Sequence, residues 1–177
     1  MQAETDYESM PGYVDLTDLG LPKDIESTTD VFIKKPLLKL VSLAVKTSAK
    51  KDEDREFAEI LSQLSLVQVR VFEDMDDRLP EIAKRMNALQ EEFEKDDWEL
   101  IAKVRDKDEN VRVYYKLKDE KIEGLVVTVI DDKDEAVFVN VVGHFALEDL
   151  GKLGKKIDLG LKKDFDWSKV DKIDKQS

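Results

Sequence analysis

From Leu37 onward the apolar residues fall at Leu37, Leu40, Val41, Ala44 and Val45, three and four apart, which is the period of one helix face. Pro36 suits the first helical position, where a missing N–H costs nothing. Leu38 and Leu43 widen the stripe, so this helix is expected to be buried on most sides. A charged connector from Lys50 to Asp54 leads to a second helix with Phe57, Ile60, Leu61 and Leu64 on one face and Asp54 as its N-cap. The period then changes to two. Val67, Val69 and Val71 alternate with Gln68 and Arg70, the pattern of a strand with one face buried. The acidic run Glu73-Asp74-Met75-Asp76-Asp77 suits the N-terminal dipole of a third helix, lined by Ile82, Met86, Leu89 and Phe93.

Four β-like runs follow, over Trp98–Arg105, Val111–Lys118, Ile122–Ile130 and Ala136–Phe145. The connectors between them are too short to hold a crossover helix, so the neighbours are expected to be antiparallel hairpins. A last helix, about Leu147 to Lys156, carries Leu147, Leu150, Leu153 and Ile157. The order α-α-β-α-β-β-β-β-α predicts the α+β class: two layers, an antiparallel β-meander with the helices packed on one face. Residues 1–12 read as a flexible acidic segment ending at Pro11-Gly12, residues 13–160 as one α+β domain, and 161–177 as a polar tail with Phe165 and Trp167 as anchors. Within the domain, Val14, Leu16 and Leu19 suggest an extended stretch lying on the core, and Val31-Phe32-Ile33 a short strand.

Parity sorts the strand residues onto two faces. Val67, Val69, Val71, Trp98, Leu100, Val104, Val111, Val113, Tyr115 and Leu117 share the face expected to meet the helices. The other carries Arg70, Lys103, Arg105, Arg112, Tyr114 and Lys116 beside Gln68, a basic face that is the candidate partner-binding surface. Its competing reading is a solvated face whose long cations cover apolar surface. Base stacking uses two or three matched aromatics, and Tyr114 stands alone. Ile122–Ile130 and Ala136–Phe145 are apolar on both sides, so that end of the sheet is expected to be covered, with the N-terminal segment as a candidate cover.

Charge narrows the partners. The chain has 29 basic and 41 acidic residues, a formal net charge of −12. Such a chain repels phosphate backbones and anionic lipid unless it concentrates lysines locally, and no nucleic-acid partner is expected. There is no cysteine, which excludes disulfides, thiolate nucleophiles and Cys-ligated metals. No transmembrane segment is expected, because no apolar run approaches the ~18 residues of a span. Met1 to Asp6 lacks a basic, then apolar leader, so a cytoplasmic protein or a mature form shorn of its signal is expected.

Chemical constellations fail on spacing. His144 is the only histidine; no G-x-S-x-G elbow accompanies it, and His144 with Glu148 supplies at most half a zinc site. The acidic runs at 73–77 and 131–135 lack the central Gly of a calcium loop, and both read as turn and helix-start chemistry. Gly151-Lys152-Leu153-Gly154 has two residues between its glycines where a phosphate loop has four, so its glycines read as weakening and ending a helix. With 41 acidic residues a close carboxylate pair carries no information. No catalytic residue, metal ligand or cofactor is therefore assigned.

Several hydrophobic stretches carry a resemblance. Lys35-Pro36-Leu37-Leu38-Lys39-Leu40, Leu64-Ser65-Leu66-Val67-Gln68-Val69-Arg70-Val71-Phe72, Trp98-Glu99-Leu100-Ile101-Ala102-Lys103-Val104 and Val141-Val142-Gly143-His144-Phe145 with Leu147-Glu148-Asp149-Leu150 are its parts. Together they resemble a bacterial family catalogued as a domain of unknown function, number 4252, over about residues 31–157. Members usually carry a signal or lipoprotein peptide, so the resemblance implies a periplasmic or envelope location, with cytoplasmic as the alternative. It implies no activity and no catalytic residue. The expectation is a non-catalytic binding or regulatory module of the bacterial cell envelope, with another envelope protein as partner. The alternatives are a metal-dependent enzyme using scattered carboxylates, and nucleic-acid binding through the basic sheet face.

Overall fold

The computed structural model describes residues 4–107, 109–131 and 133–156; the expected tail at 161–177 lies outside them. The elements are β1 (Thr29–Lys34), α1 (Lys35–Ser48), α2 (Asp52–Gln63), β2 (Leu64–Phe72), a 3₁₀ turn (Asp76–Arg78), α3 (Leu79–Lys95), β3 (Glu99–Arg105), β4 (Glu109–Lys118), β5 (Lys121–Asp131), β6 (Ala136–Ala146) and α4 (Asp149–Lys156). The α+β class and the antiparallel meander of the last four strands are present as expected. Asp119 and Glu120 form a two-residue β4–β5 turn with φ of 51° and 64°, the left-handed pair whose twist matches a hairpin.

The meander is part of a larger sheet. All six strands are antiparallel, in the order β1-β2-β6-β5-β4-β3. β2 joins the free edge of β6, with Val67 opposite Val141 and Val69 opposite Val139, and β1 closes the far side of β2.

Helices pack on both faces of this sheet, which corrects the one-faced arrangement expected. One core joins Leu38 of α1, Ile60 and Leu61 of α2, and Leu150 and Leu153 of α4 to Val113, Val127, Val139 and their neighbours. The other joins Ile82, Met86, Leu89 and Phe93 of α3 to Tyr114, Val126 and Phe138. The physical reason lies in β5 and β6, which are apolar on both sides and need two covers.

Before β1 the chain forms a strap across the second face, burying Leu16, Leu19 and Ile25 there, so the expected N-terminal cover is present. Its approach is close: a Cβ on Gly124 would lie 2.5 Å from the Gly12 Cα and 2.6 Å from Trp98. At the helix starts, α2 begins at Asp52 with Lys51 at the cap position, so Asp54 belongs to the first turn.

Candidate functional site

The six residues of the predicted basic face do not form an open surface. Tyr114 is 1% exposed and sits under α3, its ring 5.0 Å from that of Phe93. Burial pushes its phenol pKa up. Arg112 is also 1% exposed; it donates to the Met86 carbonyl (2.9 Å) and to Asn87 Oδ1, both on α3. Arg70 donates to the Leu16 carbonyl (2.8 Å) and Ser27 Oγ (3.2 Å) of the strap and pairs with Asp30 at 2.9 Å. Lys116 lies over the Trp98 ring, 5.8 Å from its centroid, and 3.8 Å from Asp96. Only Lys103 and Arg105, on the edge strand β3, are exposed. Lys103 lies opposite Arg112 in register and Arg105 opposite Asn110, and the Arg112 guanidinium, with Arg105, holds the Lys103 ammonium below its ordinary pKa. The face binds the protein's own strap and α3.

Asn140 and Gln68 hold the strap down. Asn140 Oδ1 accepts from Val14 N–H and Gln68 Nε2, each at 3.0 Å, while its Nδ2 donates to the carbonyls of Gly12 (2.9 Å) and Leu125 (3.2 Å). Gln68 Nε2 also donates to the Val14 carbonyl at 3.2 Å. Two buried amides thus satisfy backbone groups that the strap would otherwise hide from water unpaired.

The chemical candidates resolve into structure. His144 lies in β6, not on a helix with Glu148, and its Nδ1 meets Glu123 at 2.8 Å on the solvent side. Lys152, within α4, pairs with Glu56 of α2 at 3.3 Å; the Gly-Lys-Leu-Gly stretch runs inside the helix. The two acidic runs come together at one end of the sheet, where Met75 N–H donates to the Asp134 carbonyl at 2.9 Å. Asp131 Oδ1 accepts from the backbone of Lys133 and Glu135, and Asp74 and Asp134 occupy left-handed positions, so these carboxylates serve turns. Among the described residues no three of His, Cys, Asp and Glu group as a metal site.

Two open clefts border the strap. One, of about 540 Å³, runs from Thr17 to Ser27 beside Arg70; the other, of about 740 Å³, lies between Tyr7, Tyr13 and Phe32. Both are lined largely by the strap itself.

The unexpected surface is α1. Only Leu38 and Ser42 are buried, with Ser42 Oγ donating to the Ala58 carbonyl of α2 at 2.5 Å. Leu40 and Leu43 are each 62% exposed, Leu37 48% and Val41 40%. At roughly 100° per residue, Leu40, Leu43, Ala44 and Thr47 occupy the side directly opposite Leu38 and Ser42. The outward pole of this helix is therefore apolar, and the expectation of a helix buried on most sides is overturned. Its residues were legible as hydrophobic; the signal that could have set the helix apart is charge. From Val31 to Lys51 there are six lysines and no Asp or Glu, in a chain of net charge −12.

Among the described residues no helix is long and apolar enough to cross a membrane. No curated protein and no solved structure matches the chain. The family described as "Domain of unknown function (DUF4252)" matches residues 23–153, which span every strand and the three longer helices. The chain belongs to that family.

Proposed function

We propose that the protein is a non-catalytic binding or regulatory module of the bacterial cell envelope, and that its contact surface is the outward face of α1. The observation that carries the reading is the exposure of Leu37, Leu40, Val41 and Leu43 on one helix. Covering an exposed aliphatic side chain is worth about 1.5–3 kcal/mol, and four on one helix make a patch of the kind that marks interaction sites on soluble folds. Supporting it, the two faces of the sheet are occupied by the protein's own core, so the surface free to meet another molecule lies on the outer elements. The envelope location rests on the family resemblance; recovery of the native protein in the soluble cytoplasmic fraction would remove that part.

The contact surface is tested by placing a photo-crosslinking residue at Leu43 and, as a control, at the exposed Glu91 of α3. A specific adduct at position 43 in the native host, absent at 91, is the expected result. Equal yields at the two positions would overturn the reading.

A further inference from the structure

We infer that the outward face of α1 docks the protein reversibly onto an anionic lipid surface. The inference rests on the binding-module reading above and names the occupant of that face.

Charge complementarity decides among occupants. The chain as a whole is strongly acidic, yet Lys34, Lys35, Lys39, Lys46, Lys50 and Lys51 fall in one 21-residue stretch, 31–51, that holds no carboxylate. On the helix itself, Lys39 and Lys46 are two turns apart and exposed. Angularly they lie on the shoulder between the buried Leu38–Ser42 side and the exposed Leu43. A helix lying in a membrane interface presents this order: an apolar pole pushed toward the acyl chains, with cations on its flank at the headgroup level. Lysine stems are long enough to cover apolar surface while the ammonium stays among the headgroups. The shape is open as well: Leu40 and Leu43, with Ala44, Thr47 and Ser48, border a shallow depression of about 410 Å³ on the helix surface rather than an enclosed pocket.

Other occupants fit less well. A second copy related by a twofold axis would set the same lysine-rich stretch, with Lys39 and Lys46 exposed and no carboxylate within it, against itself. The chain's own segment 157–177 has five lysines and five aspartates, so it offers a cationic helix no net opposite charge. An anionic bilayer offers both apolar depth and negative potential, and it also gives the acidic remainder of the protein an orientation, facing away from the surface.

The test is co-sedimentation of the full chain with vesicles of phosphatidylglycerol and phosphatidylcholine, and with phosphatidylcholine alone. Binding is expected to the anionic vesicles only and to be stripped by 0.5 M salt, a level at which surface charges are largely screened. Leu40→Glu/Leu43→Glu and, separately, Lys39→Glu/Lys46→Glu should each lower the partition coefficient by at least about tenfold, since each surface lysine adds of the order of a fivefold preference. Both pairs of positions are exposed, so both variants should melt as the parent does. Absence of binding, binding unaffected by either variant, or equal binding to neutral vesicles would overturn the lipid inference. So would dimerisation abolished by Leu40→Glu/Leu43→Glu. A protein adduct at position 43 without vesicle binding would remove the lipid and keep the binding module; loss of both would remove the module too.

Discussion

Asn140 has no exposed surface and uses its amide in four hydrogen bonds, which makes it the most heavily connected polar side chain between the strap and the sheet. Replacing it with Ala leaves the Val14 N–H and the Gly12 carbonyl without that partner. Each buried group so abandoned costs about 1–3 kcal/mol, so Asn140→Ala should lower the unfolding free energy by at least that much in chemical denaturation. A loss below about 0.5 kcal/mol would mean that water reaches the strap and replaces the amide. Glu135 makes a different kind of contribution. Burial, then the charges of Asp131 and Glu73, raise its carboxyl pKa above the ordinary value. A carboxyl whose folded pKa is raised binds its proton more tightly in the folded state. It therefore stabilises below the unfolded pKa, and that stability is lost as pH rises through the folded one. Glu135→Gln should thus leave stability near pH 4 almost unchanged and increase it at pH 7; equal shifts at both pH values would show that the charge is not the cause.

At the scale of elements, the sharpest contrast is between the two sides of α1. Leu38→Ala removes a buried side chain and should cost about 2–5 kcal/mol, whereas Leu43→Ala should change stability by less than about 0.5 kcal/mol. Thermal or denaturant unfolding of the two variants decides it, and similar losses would mean that Leu43 is packed. The pattern of this helix points the wrong way because leucines all round ordinarily signal burial, and periodicity alone does not say whether the cover comes from the same chain. The meander was legible for the opposite reason: connectors of a few residues leave antiparallel pairing as the only choice. Parity then failed at one place. The register shifts between Leu100 and Ala102, so Leu100 lies opposite Tyr114 while Ala102 lies opposite Val113. That bulge places Trp98 and Leu100 in the second core, where a strict alternation from Val104 would have put them in the first. The basic face was illegible in another way. Arg112 and Tyr114 have the composition of a surface, and only the closure by α3, a long-range contact, reveals that they are inside. Mutating Arg70, Arg112 and Tyr114 together would therefore probe folding rather than recognition. What did announce the closure was β5 and β6, whose apolar residues on both sides required a second cover.

For the whole molecule, two cores separated by a sheet raise the question of whether they unfold together. The strands give a physical answer. β4 places Val113 and Tyr115 in the first core and Tyr114 in the second; β5 places Val127 in one and Val126 in the other; β6 does the same with Val139 and Phe138. Neither core can melt without removing one wall of the other. The strand pairing adds a second coupling, since β2 must find β6 about seventy residues away before either core closes, as in Val67 against Val141. Unfolding is therefore expected to be a single cooperative transition. Trp98 lies in the second core, while α1, α2 and α4, which hold most of the α-helical residues, lie mainly over the first. The chain has two tryptophans, so a Trp167→Phe variant leaves Trp98 as the sole tryptophan, read apart from the tyrosines by exciting at the red edge of the absorption band. Its fluorescence transition and the far-ultraviolet circular dichroism transition should then coincide in denaturant. Separate midpoints would show that the second core, with its strap and α3, opens independently of the sheet and the helices on the other side.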